Sequence, residues 1–295
     1  MADNGSYFDG AKTVAFKKLG KINTGQDGAI YGGCLFRFGA NGPCWVYDVE
    51  TLEEIGRFTL DKADIILPHS NAVCFGPEFY APGDEFPVLY TNIYNNYASA
   101  PDRLEGVCCA YRISRENGVF SSQLVQVLRI DFTADSDLWC SETVSDVRPY
   151  GNFAVDAAAG KLHVFVMRDE THTTRFFRFA LPKITEGAIN EVWGVPEVSL
   201  TKEDIEQQFD GCYVNYMQGA CCDNGILYSV EGFVLPNDFA RPAIRLFDTN
   251  KRKLVLEADL EPFGLTREPE LVEVYNGKVY YSDGDGNLFQ IRFEG

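Results

Sequence analysis

"MQGACCDNGILYSVEGF", residues 217–233, contains the pattern that decides the fold. Two short apolar segments flank Asn224-Gly225, a dipeptide typical of the tight turn in a β-hairpin. Neighbouring side chains of a strand point to opposite faces, so Cys221 and Cys222 cannot easily chelate one metal ion. We interpret both as packing residues and not as nucleophiles, because an apolar setting keeps a thiol protonated. The stretch therefore predicts a hairpin within a sheet.

Similar segments recur along the chain, beginning near residues 26, 70, 151, 217 and 269. Each segment reads as a short strand, a glycine-bearing turn, a second strand rich in Val, Leu and Tyr, a loop, a third strand and usually a fourth. Runs of this kind, separated by Gly and Asn turns, indicate antiparallel β-structure. Four-stranded units repeated at this spacing are typical of a β-propeller.

The last unit has only three strands before the chain ends. We expect "TVAFKKL", residues 13–19, to supply the missing strand by pairing with residues 286–293, because ring closure removes an exposed sheet edge. Thr201 and Asp204 form a capping-box pattern, which predicts one short helix near 201–209. The predicted fold is thus all-β: a leader segment over 1–12, then a single five-bladed β-propeller domain over 13–295.

This repeat pattern resembles the β-propeller superfamily over nearly the whole chain. Within it, "QG" at 218–219, "NG" at 224–225, "LY" at 227–228 and "DT" at 248–249 resemble a blade of the five-bladed, plant-type glutaminyl cyclases. The other blades do not keep these residues, so the resemblance assigns no catalytic residue. Five-bladed propellers also include glycosidases and sugar-binding lectins, and the fold alone does not choose between them.

Composition limits the partners that this protein can bind. The formal net charge of -17 repels phosphate backbones and anionic lipid, so we expect neither nucleic acid nor a membrane surface as a partner. No apolar run approaches the roughly 20 residues of a membrane-spanning helix. We expect a cytoplasmic protein if Met1 is the natural start, and an exported one if a leader was removed.

The residue pattern predicts no dedicated metal site. The nine cysteines are odd in number and lack C-x-x-C spacing, which argues against a disulfide framework and against zinc. "DGDGN" at 283–287 resembles the start of a calcium loop, but Leu288 occupies the position that needs glycine, so we interpret it as a hairpin turn. No cofactor is assigned from the sequence. A divalent cation in the central channel of the propeller is compatible with the carboxylates that we expect to line its mouth.

Polar residues open the first strand of each unit, and in a propeller these strands converge at the mouth of the channel. We expect this mouth to bind a ligand, because aromatic walls around a few convergent polar groups are typical of a small-molecule pocket. The predicted ligand-binding residues are Asp27, His69, Asn71, Asn152, Gln218 and Glu270, with Tyr94 and Phe233 as walls. Catalytic residues are not assigned; the candidates are Asp27, Glu270 and Glu231.

Three classes of function remain open from the sequence. The first is a propeller scaffold that binds a polar small ligand, a sugar or another metabolite, at the channel mouth. The second is a carboxylate-dependent hydrolase of the glycosidase type in the same funnel. The third is a protein-interaction platform without chemistry. Whether the protein is an enzyme is therefore undecided at this stage.

Overall fold

The computed structural model describes residues 13–93, 104, 106–132, 148–167, 174–211, 217–235 and 238–294. Within these ranges the chain is predominantly β-structure. Its helices there are short: an α-helix over Ala63–Ile66 and 3-10 helices over Lys202–Asp204 and Glu261–Phe263. No described helix is long and apolar enough to cross a membrane.

The first unit shows why the predicted strands form. Gly32 and Gly33 have φ values of 57° and 81°, a left-handed conformation that glycine adopts without steric cost. A two-residue turn with this geometry matches the twist of the strands that it joins. The unit's four antiparallel strands are β2 (Gly28–Tyr31), β3 (Cys34–Phe38), β4 (Pro43–Asp48) and β5 (Glu54–Thr59). The strand before them, β1 (Thr13–Lys21), belongs to the last unit.

The second unit is extended by a hairpin from a later part of the chain. Its own strands are β6 (Val73–Phe75), β7 (Leu89–Asn92), β8 (Val107–Glu116) and β9 (Val119–Ile130). The added strands are β13 (Ala188–Asn190) and β14 (Val195–Leu200). Strand β14 runs parallel to β9, with Glu197 opposite Val127. The hairpin therefore covers the outer edge of this unit.

The third and fourth units form one eight-stranded sheet. The third unit consists of β10 (Arg148–Asp156), β11 (Lys161–Met167), β12 (Arg175–Ala180) and β15 (Gln207–Asp210). The fourth consists of β16 (Met217–Asp223), β17 (Ile226–Leu235), β18 (Asp238–Asp248) and β19 (Lys253–Asp259). A parallel bridge between Asp156 and Cys222 joins β10 to β16. The first strands of two neighbouring units thus meet at their C-terminal ends.

The fifth unit is completed by the start of the chain. Its strands are β20 (Pro269–Tyr275), β21 (Lys278–Asp283), β22 (Asn287–Glu294) and β1. Strands β1 and β22 pair antiparallel, from Thr13 opposite Glu294 to Lys21 opposite Asn287. This register confirms the prediction that residues 13–19 close the last unit.

The first strands of the units pack against one another in chain order. Strand β2 contacts β6, β6 contacts β10, β10 contacts β16, and β16 contacts β20. Strand β20 in turn contacts β2, so the series returns to its start. A separate apolar cluster lies between each neighbouring pair of units. Together these contacts describe a propeller-like all-β fold.

The adjacent cysteines of the opening stretch follow this arrangement. Cys221 packs in the apolar cluster between the fourth and fifth units. Cys222 packs against the cluster between the third and fourth units. The prediction that they point to opposite faces is confirmed. Burial raises the pKa of both thiols well above the usual 9.0.

The predicted helix near 201–209 is wrong in extent. Only Lys202–Asp204 is helical, as a single 3-10 turn, although Asp204 accepts hydrogen bonds from the Thr201 backbone N–H and hydroxyl at 2.8 and 2.7 Å. Gln207–Asp210 instead forms β15, which pairs with β12. The capping pattern was real, but sheet pairing determined the conformation of the residues after it. The 3-10 turn precedes the last strand of the third unit.

The "DGDGN" segment is a hairpin turn between β21 and β22, as interpreted. The Asp283 carboxylate accepts the backbone N–H of Asn287 at 2.9 Å. It also accepts the Asn287 side-chain amide at 3.1 and 2.9 Å. The aspartate therefore holds its own turn together.

Candidate functional site

The structure brings together polar residues from the starts of the units' first strands. Asp27 is completely buried, and its Oδ2 atom accepts backbone N–H groups from Val73 at 2.9 Å and Ala220 at 3.4 Å. These donors lie in the second and fourth units, whereas Asp27 precedes the first. One carboxylate thus joins three units.

Two more charges lie beside Asp27. Arg37, on β3, is completely buried and donates to the carbonyls of Gly25 at 2.8 Å and Asp283 at 3.3 Å. Glu270 lies near the start of β20 and interacts electrostatically with both Arg37 and Asp27. We refer to Asp27, Arg37 and Glu270 as the charged cluster. It contains two carboxyl groups and one guanidinium, so it cannot be neutral unless one carboxyl keeps a proton.

Burial changes the protonation of this cluster. It raises the pKa of Asp27 to about 8, although the N–H groups of Val73, Gly28 and Ala220 and the charge of Arg37 act in the opposite direction. Burial likewise raises the pKa of Glu270 well above its usual range, against the attraction of Arg37. Asp27 therefore keeps its proton over most of the range below pH 8.

Several atoms of the cluster make no hydrogen bond to any described residue. They are Asp27 Oδ1, Glu270 Oε2 and the Nε and Nη1 atoms of Arg37. A buried polar atom without a partner costs roughly 1–3 kcal/mol, and more when it is charged. Such a site is enriched in groups that a polar ligand or ordered water can satisfy.

Amide side chains from the second and third units form a second layer. Asn92 donates its side-chain N–H groups to the Oδ1 atoms of Asn71 and of Asn152, the latter at 2.9 Å. Asn71 also donates to the Met217 carbonyl at 3.4 Å. Sequence reasoning found Asn71 and Asn152 but missed Asn92, which lies at the end of β7. A buried asparagine at the end of a short strand was the available signal.

The rim of the site includes a carboxyl group that solvent can reach. Gln218 donates to the Gly232 carbonyl at 3.1 Å and to the Glu268 carboxylate. Glu268 is only partly buried. Burial raises its pKa to about 7, and the hydrogen bond from Gln218 acts against this rise. Glu268 is therefore able to exchange a proton near neutral pH.

The other predicted residues are placed as follows. His69 is partly buried, and burial lowers the pKa of its imidazole to about 4, so the ring is neutral at physiological pH. Phe233 is partly buried on β17. Tyr94 lies outside the described residues. Glu231 is buried in an ion pair with Arg245, which also contacts Glu257 at 2.9 Å. This ion pair accounts for a buried Glu231 without a ligand.

A different set of side chains could hold a metal ion. Among the residues that the structure describes, Asp156, His163 and Cys222 bring one oxygen, one nitrogen and one sulfur within 4.8 Å of one another. Asp156 and Cys222 lie at the C-terminal ends of β10 and β16, and His163 lies on β11, away from the strand starts where the sequence suggested a cation.

The fold and the polar strand starts define an all-β protein of the propeller-like class. No protein-family model matches the chain, and no curated protein sequence matches it. In fold, the chain is similar to the crystal structure of Myxococcus xanthus glutaminyl cyclase. The TM-score is 0.51 at 11% identity, over 95% of this chain and 94% of that one. At this identity the likeness shows the fold alone.

A second solved structure, Saccharomyces cerevisiae Sqt1, is more distant. Its TM-score is 0.36 at 10% identity, over 88% of this chain and 54% of that one. This chain thus spans about half of the Sqt1 chain.

Proposed function

We propose that this protein is a five-bladed propeller that binds a polar small ligand, such as a sugar or another metabolite, where the first strands converge. Gln218, Glu268 and Glu270 would contact the ligand, with the remainder of the charged cluster and the asparagine layer beneath them. The blade count is supported by the circular contacts of β2, β6, β10, β16 and β20 and by the five intervening apolar clusters.

The observation that carries this proposal is the set of buried polar atoms without partners in the charged cluster. Asp27 Oδ1, Glu270 Oε2 and Arg37 Nη1 come from two different units and are close enough to affect each other's charge. A ligand with hydroxyl or amino groups would satisfy them and recover part of the desolvation cost. The net charge of -17 favours a neutral or cationic ligand over a polyanion.

Acid–base catalysis is the second candidate, and Glu268 is the observation that favours it. A carboxyl group with a pKa of about 7 is suited to donate or accept a proton at neutral pH. Glu268 lies close enough to Glu270 for its negative charge to raise the pKa of Glu270 further. Glu268 at the rim, with the buried Glu270 beside it, matches the requirements of general acid–base chemistry, in which Glu268 would transfer the proton.

The test is a ligand screen on the parent protein by thermal shift, followed by calorimetry. The panel contains neutral sugars, small amines and divalent cations. It also contains a peptide that begins with glutamine, because the protein of similar fold is named a glutaminyl cyclase. For the peptide, product formation is measured as well as binding.

The deciding variant is Glu268→Gln, which keeps the size of the side chain and removes the titrating group. Glu203→Gln, at an exposed position, is the matched control. We expect a ligand that stabilises both the parent and the control. It should bind Glu268→Gln with a dissociation constant at least about tenfold higher, as expected for a lost charge-assisted hydrogen bond. The double variant Asp27→Asn with Glu270→Gln tests whether the two carboxyl groups of the charged cluster contribute to binding. If no ligand raises the melting temperature of the parent, or if a ligand raises it equally in all variants, a protein-interaction platform explains the structure better.

A further inference from the structure

A second cluster lies where the ends of two first strands meet. Asp156 is the last residue of β10, and Cys222 is the penultimate residue of β16. The parallel bridge between them fixes their backbones side by side. His163 lies on β11, next to β10 in the same unit. Three different strands therefore deliver the three side chains to one place.

Asp156 is held in position by its own turn and by the next unit. Its Oδ1 atom accepts the Ala159 N–H at 3.1 Å, and its Oδ2 atom accepts the Gly225 N–H at 2.8 Å. Each oxygen keeps a lone pair for a further partner. Hydrogen bonds of this kind orient a metal-ligating carboxylate.

The cluster borders a cavity of about 260 Å³ at the surface between the third and fourth units. Asp156 and His163 both line it. His163 is only 3% exposed, yet neither ring nitrogen makes a hydrogen bond within the described part of the chain. A buried imidazole that faces a cavity without a hydrogen-bond partner points to a ligand at that position.

The surrounding charges favour a cation. Lys161 and Arg178 also line the cavity, but both pair with Glu206, at 2.6 and 3.4 Å. Counting Asp156, Asp223 and Glu206 against these two bases leaves an excess of negative charge near the cluster. A divalent ion therefore meets a field that attracts it.

We propose that Asp156, His163 and Cys222 bind a zinc ion whose fourth coordination position opens to the cavity. Oxygen, nitrogen and sulfur are all zinc ligands, and three protein ligands with an open fourth position are typical of zinc sites that bind water or substrate. The thiol of Cys222 gives its proton to the solvent when the ion binds, so binding is favoured by higher pH. The occupant of the fourth position is water or a small ligand that enters through the cavity.

The first experiment uses cobalt(II) as a spectroscopic substitute for zinc in the metal-free full chain. We expect one equivalent to bind and to produce the near-ultraviolet band of a cobalt–thiolate bond, which zinc then abolishes by displacement. Binding without a thiolate band would overturn the proposed ligand set.

Matched variants assign the sulfur ligand. Cys222→Ala should abolish the thiolate band, whereas Cys221→Ala, the neighbour on the opposite sheet face, should keep it. His163→Gln and Asp156→Asn should weaken zinc binding by more than the roughly 10–100-fold that changes outside the ligand set cost. A band that survives in Cys222→Ala, or disappears in a folded Cys221→Ala protein, would contradict the proposal.

A measurement on the parent protein avoids any risk that the variants misfold. Under native conditions, zinc should protect Cys222 from alkylation, read by peptide mass spectrometry, at least about tenfold more than it protects Cys221, because only Cys222 is partly exposed in the folded chain. Equal protection of both thiols in the native protein would show that zinc acts only by stabilising the fold as a whole, which would overturn a site at Cys222.

Discussion

The first strands of the third and fourth units carry polar residues at both ends, and the two ends differ in how those residues are held. On the N-terminal side, Asn152 in the middle of β10 and Gln218 at the second residue of β16 belong to a network that reaches the first, second and fifth units. At the C-terminal ends, the described hydrogen bonds of the Asp156 carboxylate and the bridge between Asp156 and Cys222 join only the third and fourth units.

This difference separates two kinds of site. In the charged cluster, Asp27 and Arg37 are completely buried and Glu270 is 6% exposed. The cluster depends on the whole ring, because its hydrogen bonds join strands that are distant in sequence. The cluster of Asp156, His163 and Cys222 needs only one contact between neighbouring units and borders an open cavity. Substitutions at the first place should therefore affect global stability, whereas those at the second should mainly affect binding.

Removing residues 1–20 should lower the stability of the protein at both clusters, and by more than a single substitution in either cluster. Val14 and Phe16 pack in the apolar cluster between the fourth and fifth units, and β1 covers the edge of β22. Loss of a whole strand should lower the free energy of unfolding by several kcal/mol, on the order of half the stability of a typical domain. Urea denaturation measures it, with Lys17→Ala as the exposed control. An unchanged midpoint would show that β1 does not close the ring.

Replacing one aspartate in each cluster compares how strongly the two sites contribute to stability. Asp27→Ala removes the acceptor of two N–H groups from different units at a completely buried position and should cost about 3–5 kcal/mol. Asp156→Ala in the metal-free protein removes the acceptor of two N–H groups beside a cavity and should cost about 1–2 kcal/mol. Equal losses in urea denaturation would mean that the two ends are equally enclosed.

Two glycines next to Glu270 test how closely the strands pack around the charged cluster. A Cβ atom at Gly219 would lie 2.7 Å from the Glu270 carbonyl oxygen and 3.1 Å from Asp27 Oδ1. Gly219→Ala should therefore cost about 1–3 kcal/mol through overpacking. Gly284→Ala is the matched control, because its Cβ would meet Glu270 Oε1 at an ordinary 3.5 Å. A thermal melt in which both variants match the parent would argue against a tight strand contact here.

The pH dependence of stability should reveal the raised pKa of Asp27. Its pKa is about 8 in the folded chain and 3.8 in the unfolded one, so the folded state binds more protons between these values. This group's contribution to stability is present below pH 3.8 and is lost as pH rises towards 8, with a slope of at most about 1.4 kcal/mol per pH unit.

Asp27→Asn should remove that slope between pH 5 and 8, measured by urea denaturation at several pH values. Asp48→Asn is the control, because hydrogen bonds to Thr51 and Glu50 lower the pKa of Asp48 and its effect falls below this window. If Asp27→Asn keeps the parent's slope, another group holds the proton.

Local signals predicted the fold well. Glycine turns, alternating apolar strands and a missing fourth strand are properties of short segments, and they led to the repeat, to the closure by residues 13–19 and to opposite faces for Cys221 and Cys222. The helix near 201–209 failed because pairing between β12 and β15 outweighed a capping pattern. The β13–β14 hairpin was missed because its partner, β9, lies far away in sequence.

The candidate site was predictable only in part, for the same reason. Asp27, Asn71, Asn152, Gln218 and Glu270 were selected because the sequence placed each at the predicted start of a first strand. Arg37, Asn92 and Glu268 were not selected, because their roles depend on which side chains meet across units. The cluster of Asp156, His163 and Cys222 has no sequence motif, since three strands bring it together.

The ligand that gives the largest thermal shift should be soaked into crystals of the protein and its position determined. We expect density for that ligand between Gln218, Glu268 and Glu270, within hydrogen-bond distance of Glu268 and above the charged cluster. Ligand density at any other surface, with the polar strand starts contacting only protein and water, would contradict it.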